Sequence, residues 1–425
     1  MKTALINTGS RTKMTGGGLT FPYGMAMVAT ALHHNGFQVD VLDLAAQPLT
    51  DSALAERLQV ANYDIVGFSV SPDNFLSFRQ TVPVVRETLP EAKVVAGGPF
   101  ASVAQSYVRR KTGVVVLPGN GISRVPAAWP KIHQNRFFSP LPSDRETIEQ
   151  PQTVPRCAYE LFPMELYFEH RPVNLPCKRH GLAMSQFGCP FHCGFCASNY
   201  QPYCLRDPGR FREEIFYLVY VLRADLIFVT DAEINTTKEH ALTIARIMAD
   251  CHVDWYAMGR TEKIDEELAR ALAESRCKEL WVGVESHAQS ILNRASKKTN
   301  TQETERVIDI LRQAGVKPVG FIVVGLPGET QETLRATTRW VQQMGIVVAP
   351  RIFWPVPGSA LWEYACGKDP SLNLDRLVEW FSHHNHVTNY ADVLTNVCDA
   401  PTDALIEAIS ELYAHNARLG SAIHP

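Results

Sequence analysis

Long apolar runs are missing from this 425-residue chain. A bilayer span takes about 18–20 consecutive apolar residues, so no membrane partner is expected. A dominant charge is missing too. Lys plus Arg number 41 against 44 Asp plus Glu, a net charge of −3, which gives no general attraction to nucleic acid or anionic lipid. The first residues, Met1-Lys2-Thr3-Ala4-Leu5-Ile6, run straight into strand-like sequence without a secretory leader. Ten cysteines in such a chain are expected as reduced thiols and cluster ligands rather than disulfides, in a cytoplasmic protein. Outside one short stretch the cysteines are scattered. Cys366 and Cys398 stand alone, which gives no further group of cysteines in the last part of the chain.

What is present is enough for two or three domains. Lys2–Thr8, Phe37–Leu44, Asp64–Val70, Lys93–Gly98 and Val114–Leu117 read as strands, separated by the helical segments Met25–Asn35, Ala53–Val60 and Phe75–Leu89. This alternation predicts an α/β, doubly wound, Rossmann-like parallel domain over residues 1–135. Ligands of such sheets sit at the carboxyl ends of the strands. Here those ends carry Gly9, Ser69, Gly97, Gly98 and Gly119, small residues that let a bulky flat ligand approach the backbone. Residues 126 to 180 are rich in proline and read as irregular, with a linker over 136–180. From 181 to 365 the alternation resumes with a longer repeat: strands Leu182–Phe187, Asp225–Thr230, Asp254–Met258, Glu279–Glu285, Pro318–Val324 and Val347–Phe353, helices between. The tail, 366–425, is helical at Leu374–Phe381 and Thr402–Arg418. His383, His384 and His386 between them read as a solvated or substrate-facing loop ahead of a metal site.

The chemistry concentrates in Cys189-Pro190-Phe191-His192-Cys193-Gly194-Phe195-Cys196. Three thiolates on one short loop can hold three irons of a [4Fe-4S] cube and leave the fourth open for a ligand. A tetrahedral zinc site needs a fourth donor, which Cys204 or a histidine can supply. The strand ends downstream add charged, polar and small residues in turn: Asp231 and Glu233, then Arg260, then Glu285 and Ser286, then Val323, Gly325 and the run Leu326-Pro327-Gly328-Glu329-Thr330, then Trp354-Pro355-Val356-Pro357. Barrel rims of this kind carry chemistry at the carboxyl ends.

The CxxxCxxC spacing with an aromatic before the last cysteine resembles the signature of the radical S-adenosylmethionine (SAM) superfamily. The first half is similar to the cobalamin-binding domain that precedes the barrel in one large subfamily, through Phe21-Pro22-Tyr23-Gly24, Val41-Leu42-Asp43-Leu44 and Gly97-Gly98-Pro99. The resemblance implies a partial (β/α)6 barrel, with Cys189, Cys193 and Cys196 holding the cluster and the open iron binding SAM. Phe195 would then lie by the adenine, with Asp231 and Glu233 at the SAM ammonium and Arg260 at its carboxylate. Glu285 and Ser286 would stand near the ribose and methionine, and the strand through Val323 and Gly325 along the adenine. Two departures stand out. The Asp-x-His-x-x-Gly motif that gives cobalt a histidine is absent, and Gly119-Asn120-Gly121-Ile122 replaces the frequent Gly-Glu-Gly-Glu. The implied activity is cobalamin-dependent methylation of a small natural-product precursor, with a reductase, flavodoxin or ferredoxin as electron donor. Also open are a corrinoid-free transfer of the 3-amino-3-carboxypropyl group of SAM to a soft acceptor such as trivalent arsenic, as in the radical SAM enzyme of arsinothricin biosynthesis, and a non-catalytic iron–sulfur sensor. For a soft acceptor, Cys177, Cys204 or Cys277 are candidate thiols.

Overall fold

A computed structural model describes residues 1–9, 19–134, 154–170, 175–198, 201–383, 393–421 and 423. The chain divides into two compact units. One comprises Met1–Pro172 with Tyr200–Glu214 and Leu374–Asn385; the other comprises Val173–Asn199, Ile215–Asn373 and His386–Pro425. Among the described residues no helix is long and apolar enough to cross a membrane.

In the first unit β1 (Lys2–Asn7), β2 (Gln38–Asp43), β3 (Ile65–Ser69), β4 (Lys93–Gly97) and β5 (Val115–Val116) form a parallel sheet in the order β2-β1-β3-β4-β5. Ala4, Leu5 and Ile6 of β1, and Ile65, Val66 and Phe68 of β3, are all buried, as expected where helices cover both faces of a sheet. The strand order reverses between β1 and β3, the switch point where doubly wound sheets open a crevice.

One expectation fails in this unit. The prolines after residue 125 do not start an irregular stretch: Pro126 and Pro130 lie inside a helix, Gly121–His133. A proline inside a helix removes a backbone donor and crowds the preceding turn, so the sequence signal pointed to a break. Tertiary packing overrides it. Val125, Ala128, Trp129 and Ile132 are buried, and the Trp129 indole N–H donates to Thr3 Oγ1 on β1 at 2.9 Å. Tyr159–Leu161 and Met164–Glu169 are further short helical turns within the predicted irregular region. Pro140, Pro142, Pro151 and Pro172 lie outside the described residues.

A polar knot closes the same unit. Glu214 is fully buried and accepts from Tyr23 Oη (2.5 Å), Tyr159 Oη (2.9 Å), the Cys157 N–H (3.0 Å) and Arg206 Nη2 (2.9 Å). Four donors on one carboxylate are the condition under which a buried charge is tolerated.

The barrel half begins with β6 (His180–Ala183) and β7 (Gln186–Phe187). After β8 (Cys204–Leu205), which belongs to the first unit, come β9 (Leu226–Val229), β10 (Asp254–Gly259), β11 (Cys277–Glu285), β12 (Lys317–Val324) and β13 (Val347–Ile352). Six strands pair in parallel in the order β13-β12-β11-β10-β9-β6. Each is a neighbour of the next in sequence, and among the described residues the first and last are not paired with each other. This is the open six-stranded barrel that the repeat predicts. Its helices start on side-chain caps: Asp265 accepts the Leu268 N–H, Asn300 that of Glu303, and Thr330 that of Thr333, each satisfying a donor the first turn leaves unpaired. The last helix, Thr402–Arg418, lies along β13. Asn416 exchanges two hydrogen bonds with the Val348 backbone (2.7 and 3.0 Å), His415 Nε2 reaches Ile346 O (3.0 Å), and Tyr413 Oη donates to Pro350 O (3.2 Å).

Candidate functional site

All three motif cysteines lie half-buried on the loop that leaves β7. The loop is held by its glycine: the Gly194 N–H donates to Ala295 O at 2.8 Å, and its carbonyl accepts from the Leu361 N–H at 2.9 Å. The Cys196 N–H closes a turn onto Cys193 O (3.0 Å), and Ser198 brings its N–H to 3.3 Å and its Oγ to 3.1 Å from Cys196 Sγ. Burial pushes the Cys189 thiol up to about 11, and Glu233, Cys196 and Cys193 add repulsion against its ionisation. Thiolates are the ligating form, so this donor set calls for positive charge among its sulfurs. It therefore fits an iron cluster. Among the described residues, no three His, Cys, Asp or Glu side chains are grouped to hold one metal ion.

Charged side chains from the next two strand ends meet this loop. Glu233, after β9, brings Oε1 to 3.7 Å from Cys189 Sγ. Arg260, after β10, stands 3.7 Å from Glu233 and 3.5 Å from Cys193 Sγ, with its guanidinium 4.1 Å over the Phe191 ring. Glu262 clamps Arg260 from the other side (Nε to Oε2, 3.0 Å), and Thr299 Oγ1 lies 3.4 Å from Nη2. Burial pushes the Glu233 carboxyl up to about 7 against the opposing pull of Arg260 and Lys297. An acid and a guanidinium this close present both signs that the ammonium and carboxylate of an amino acid require.

Asp231 differs from Glu233, although the sequence set them together at the SAM ammonium. Its carboxylate accepts from the Ser185 N–H (2.7 Å), the Gln186 N–H (3.2 Å) and Ser185 Oγ, which also meets His240 Nε2 at 2.9 Å. Fully buried, Asp231 holds the strand that leads into the cysteine loop.

Farther round the rim, Glu285 ends β11 in the left-handed region (φ 61°), a conformation that signals strain in a non-glycine residue. Its carboxylate pairs with Lys297 Nζ at 2.9 Å, both groups buried. Ser286 Oγ lies 3.3 Å from Glu329 Oε1, and Glu329 accepts the N–H groups of Gly325 (2.6 Å) and Leu326 (3.2 Å). Ser286 thus braces the Gly325 loop, while Val323 stands half-buried on β12. Burial pushes the Glu329 carboxyl up to about 7. Phe195 is half-buried beside Cys196.

Sequence reasoning missed Glu262, Thr299 and Lys297 as members of this network. Glu262 was legible from its place two residues after Arg260; nothing in the Lys297-Lys298 pair marks which lysine turns inward.

Two of the candidate substrate thiols, Cys177 and Cys277, are not gathered here. Cys177 precedes β6 by three residues and Cys277 opens β11. Strand direction therefore puts both at the amino end of the barrel, opposite the cysteine loop. Cys204 lies in β8 of the first unit. His384 and His386 lie outside the described residues.

In the first unit the small residues stand where expected. Gly9 follows β1, Ser69 ends β3, Gly97 ends β4, and Gly119 follows β5. Gly98 is obligatory: φ is 95°, and a Cβ there would meet Val70 N at 2.7 Å. At the same carboxyl edge, Thr8 Oγ1 and Ser123 Oγ are buried without a hydrogen-bond partner. Buried hydroxyls are normally satisfied, so this edge offers two polar groups to the amide-fringed rim of a corrinoid, and the residues present fit such a ligand.

Comparison with known proteins agrees with both halves. Residues 184–341 match the model of the Radical SAM superfamily, and residues 13–128 that of the B12 binding domain. The chain belongs to the radical SAM superfamily, in the group that carries a B12-binding domain ahead of the barrel. The first domain type implies a [4Fe-4S] cluster and SAM, a reductant and a small-molecule substrate; the second implies cobalamin. Among curated relatives, an uncharacterized methyltransferase of Pyrococcus horikoshii is 25% identical over 83% of this chain and 80% of its own length. The cytidylyl-2-hydroxyethylphosphonate methyltransferase of Streptomyces wedmorensis is 23% identical over 77% and 74%. Among solved structures, the radical S-adenosylmethionine methyltransferase TsrM from Kitasatospora setae, with cobalamin and a [4Fe-4S] cluster bound, shares the fold with a TM-score of 0.71 at 19% identity, covering 87% of this chain and 78% of that one.

Proposed function

We propose that this protein is a cobalamin-dependent radical SAM methyltransferase that passes a SAM-derived methyl group to a small natural-product precursor. The observation that carries the reading is the three-cysteine loop at a barrel strand end, with Glu233 and Arg260 3.7 Å apart beside it, in a chain that also has a B12-binding domain. Cys189, Cys193 and Cys196 hold the cluster. Glu233 takes the SAM ammonium and Arg260 its carboxylate. Phe195, Val323 and Gly325 line the adenine, and Glu285 and Ser286 the ribose side. Thr8, Gly9, Ser69, Gly97, Gly98, Gly119 and Ser123 lie around the corrinoid, in a domain of about residues 1–135; the barrel domain takes 181–365. When bound, the cluster would supply the electron for cleavage of a C–S bond of SAM and cobalamin would supply methyl-transfer chemistry; the chain's part is to orient both and exclude water. A flavodoxin, a ferredoxin or their reductase in the cytoplasm is the electron source.

The test is anaerobic. Protein reconstituted with iron, sulfide and hydroxocobalamin is given SAM and a chemical reductant, and bound corrinoid and nucleoside products are identified. Retained corrinoid with 5'-deoxyadenosine fits the proposal. Methylthioadenosine from a corrinoid-free protein would replace it with 3-amino-3-carboxypropyl transfer, and intact SAM would leave only a sensor.

A further inference from the structure

Three loops bring the SAM-facing groups together, and two buried amides tie them to one another. Gln186 lies three residues before Cys189. Its Nε2 donates to Glu233 O at 2.7 Å, and its Oε1 accepts from Thr236 Oγ1 at 3.2 Å. Asn235 lies two residues after Glu233. Its Oδ1 accepts the Arg260 N–H at 2.9 Å, and its Nδ2 donates to the carbonyls of Arg260 and Glu262, both at 2.8 Å. The two side chains are 1% and 3% exposed. Sheet pairing between β9 and β10 ends at Val229 and Ala257. Beyond those residues the loops are joined by single backbone contacts, such as Ile234 N–H to Met258 O at 2.9 Å, by Lys263 Nζ on the Thr236 carbonyl, and by these amides.

The geometry points to Gln186 and Asn235 as positioning residues for SAM at the cluster. Neither faces a ligand; every polar atom of Asn235 is engaged with backbone. What they fix is the backbone that carries Cys189, Glu233 and Arg260, so that the Glu233–Arg260 pair meets the cysteine sulfurs at one distance. Asp231 reinforces the same frame through Ser185 and Gln186. The inference rests on the reading of this site as a SAM site.

The choice of substitution separates positioning from space-filling. Asn235→Asp keeps size and acceptor but turns an oxygen toward two carbonyls in place of two donors. Asn235→Ala removes everything. Gln186→Glu loses the donor to Glu233 O and keeps the acceptor. SAM affinity of the reconstituted protein is measured by calorimetry, and the electron paramagnetic resonance of the reduced cluster is recorded with and without SAM. N235D and Q186E are expected to retain iron and sulfide at the wild-type level and to weaken SAM binding about tenfold, the order expected for one or two lost hydrogen bonds. The SAM-dependent change in the cluster spectrum is expected to be altered, with N235D at least as impaired as N235A. N235D that binds SAM like the wild type overturns the proposal, whatever N235A does. Wild-type protein that holds no cluster or binds no SAM would instead sink the radical SAM reading itself.

Discussion

Replacing Gly283 with alanine tests whether the buried pair behind the rim is rigid. Gly283 lies on β11, two residues before Glu285. A Cβ built on it falls 2.4 Å from Lys297 Nζ and 2.5 Å from Glu285 Oε1, where real carbon contacts do not occur. Both atoms end flexible chains and would normally swing aside. Here the two side chains are only 6% and 8% exposed, so each can move only into packed protein. If the pair opens, a buried ion pair loses its partner geometry at a cost of about 3–5 kcal/mol; if the strand shifts and the pair survives, overpacking costs about 1–3 kcal/mol. The expected loss for G283A is thus about 3 kcal/mol, although alanine for glycine by itself stabilises by about 0.4–1 kcal/mol through the unfolded chain. Gly320→Ala on β12 is the control: its Cβ would meet methyl carbons at 3.3 Å, and about 1 kcal/mol or less is expected from such a contact. Urea unfolding followed by circular dichroism measures both. G283A no less stable than G320A would refute the idea that Glu285 and Lys297 are locked.

Two further predictions concern charge. The Glu329 carboxyl, at about 7 in the fold, lies above its ordinary value. Its contribution to stability is therefore full below the unfolded value near 4.5 and is lost as pH rises through about 7. E329Q, uncharged throughout, is expected to flatten the pH dependence of the unfolding midpoint between about pH 5 and 8, by at most about 3 kcal/mol; an unchanged slope would count against it. In the first unit, E214Q or R206M alone strands a buried partner and is expected to cost about 3–5 kcal/mol, whereas the double variant R206M/E214Q is expected to cost less than the sum of the two, as double-mutant unfolding energies would reveal.

Much of this architecture was legible in the sequence because strands buried on both faces leave largely apolar runs. Asp64–Val70 and Pro318–Val324 are of this kind, and the structure keeps both to within a residue or two. The cysteine loop was legible because ligand spacing is local. What escaped depends on contacts distant in sequence. Pro126 and Pro130 read as breakers, yet Trp129 anchors their helix on Thr3, 126 residues away. Asp231 and Glu233 are two positions apart, and no local rule tells which carboxylate turns toward Ser185 and which toward Cys189. Cys177 is near the cysteine loop along the chain, but a strand lies between them, and strand direction carries it to the other end of the barrel.

The side chains of Tyr413, His415 and Asn416 reach the β13 backbone much as a seventh strand would. An exposed strand margin is where foreign peptides add themselves to a sheet. Here the terminal helix already occupies that seam. Sheet extension between molecules along this flank would first require the helix to peel away, so the β13 margin is guarded against self-assembly by the helix Thr402–Arg418.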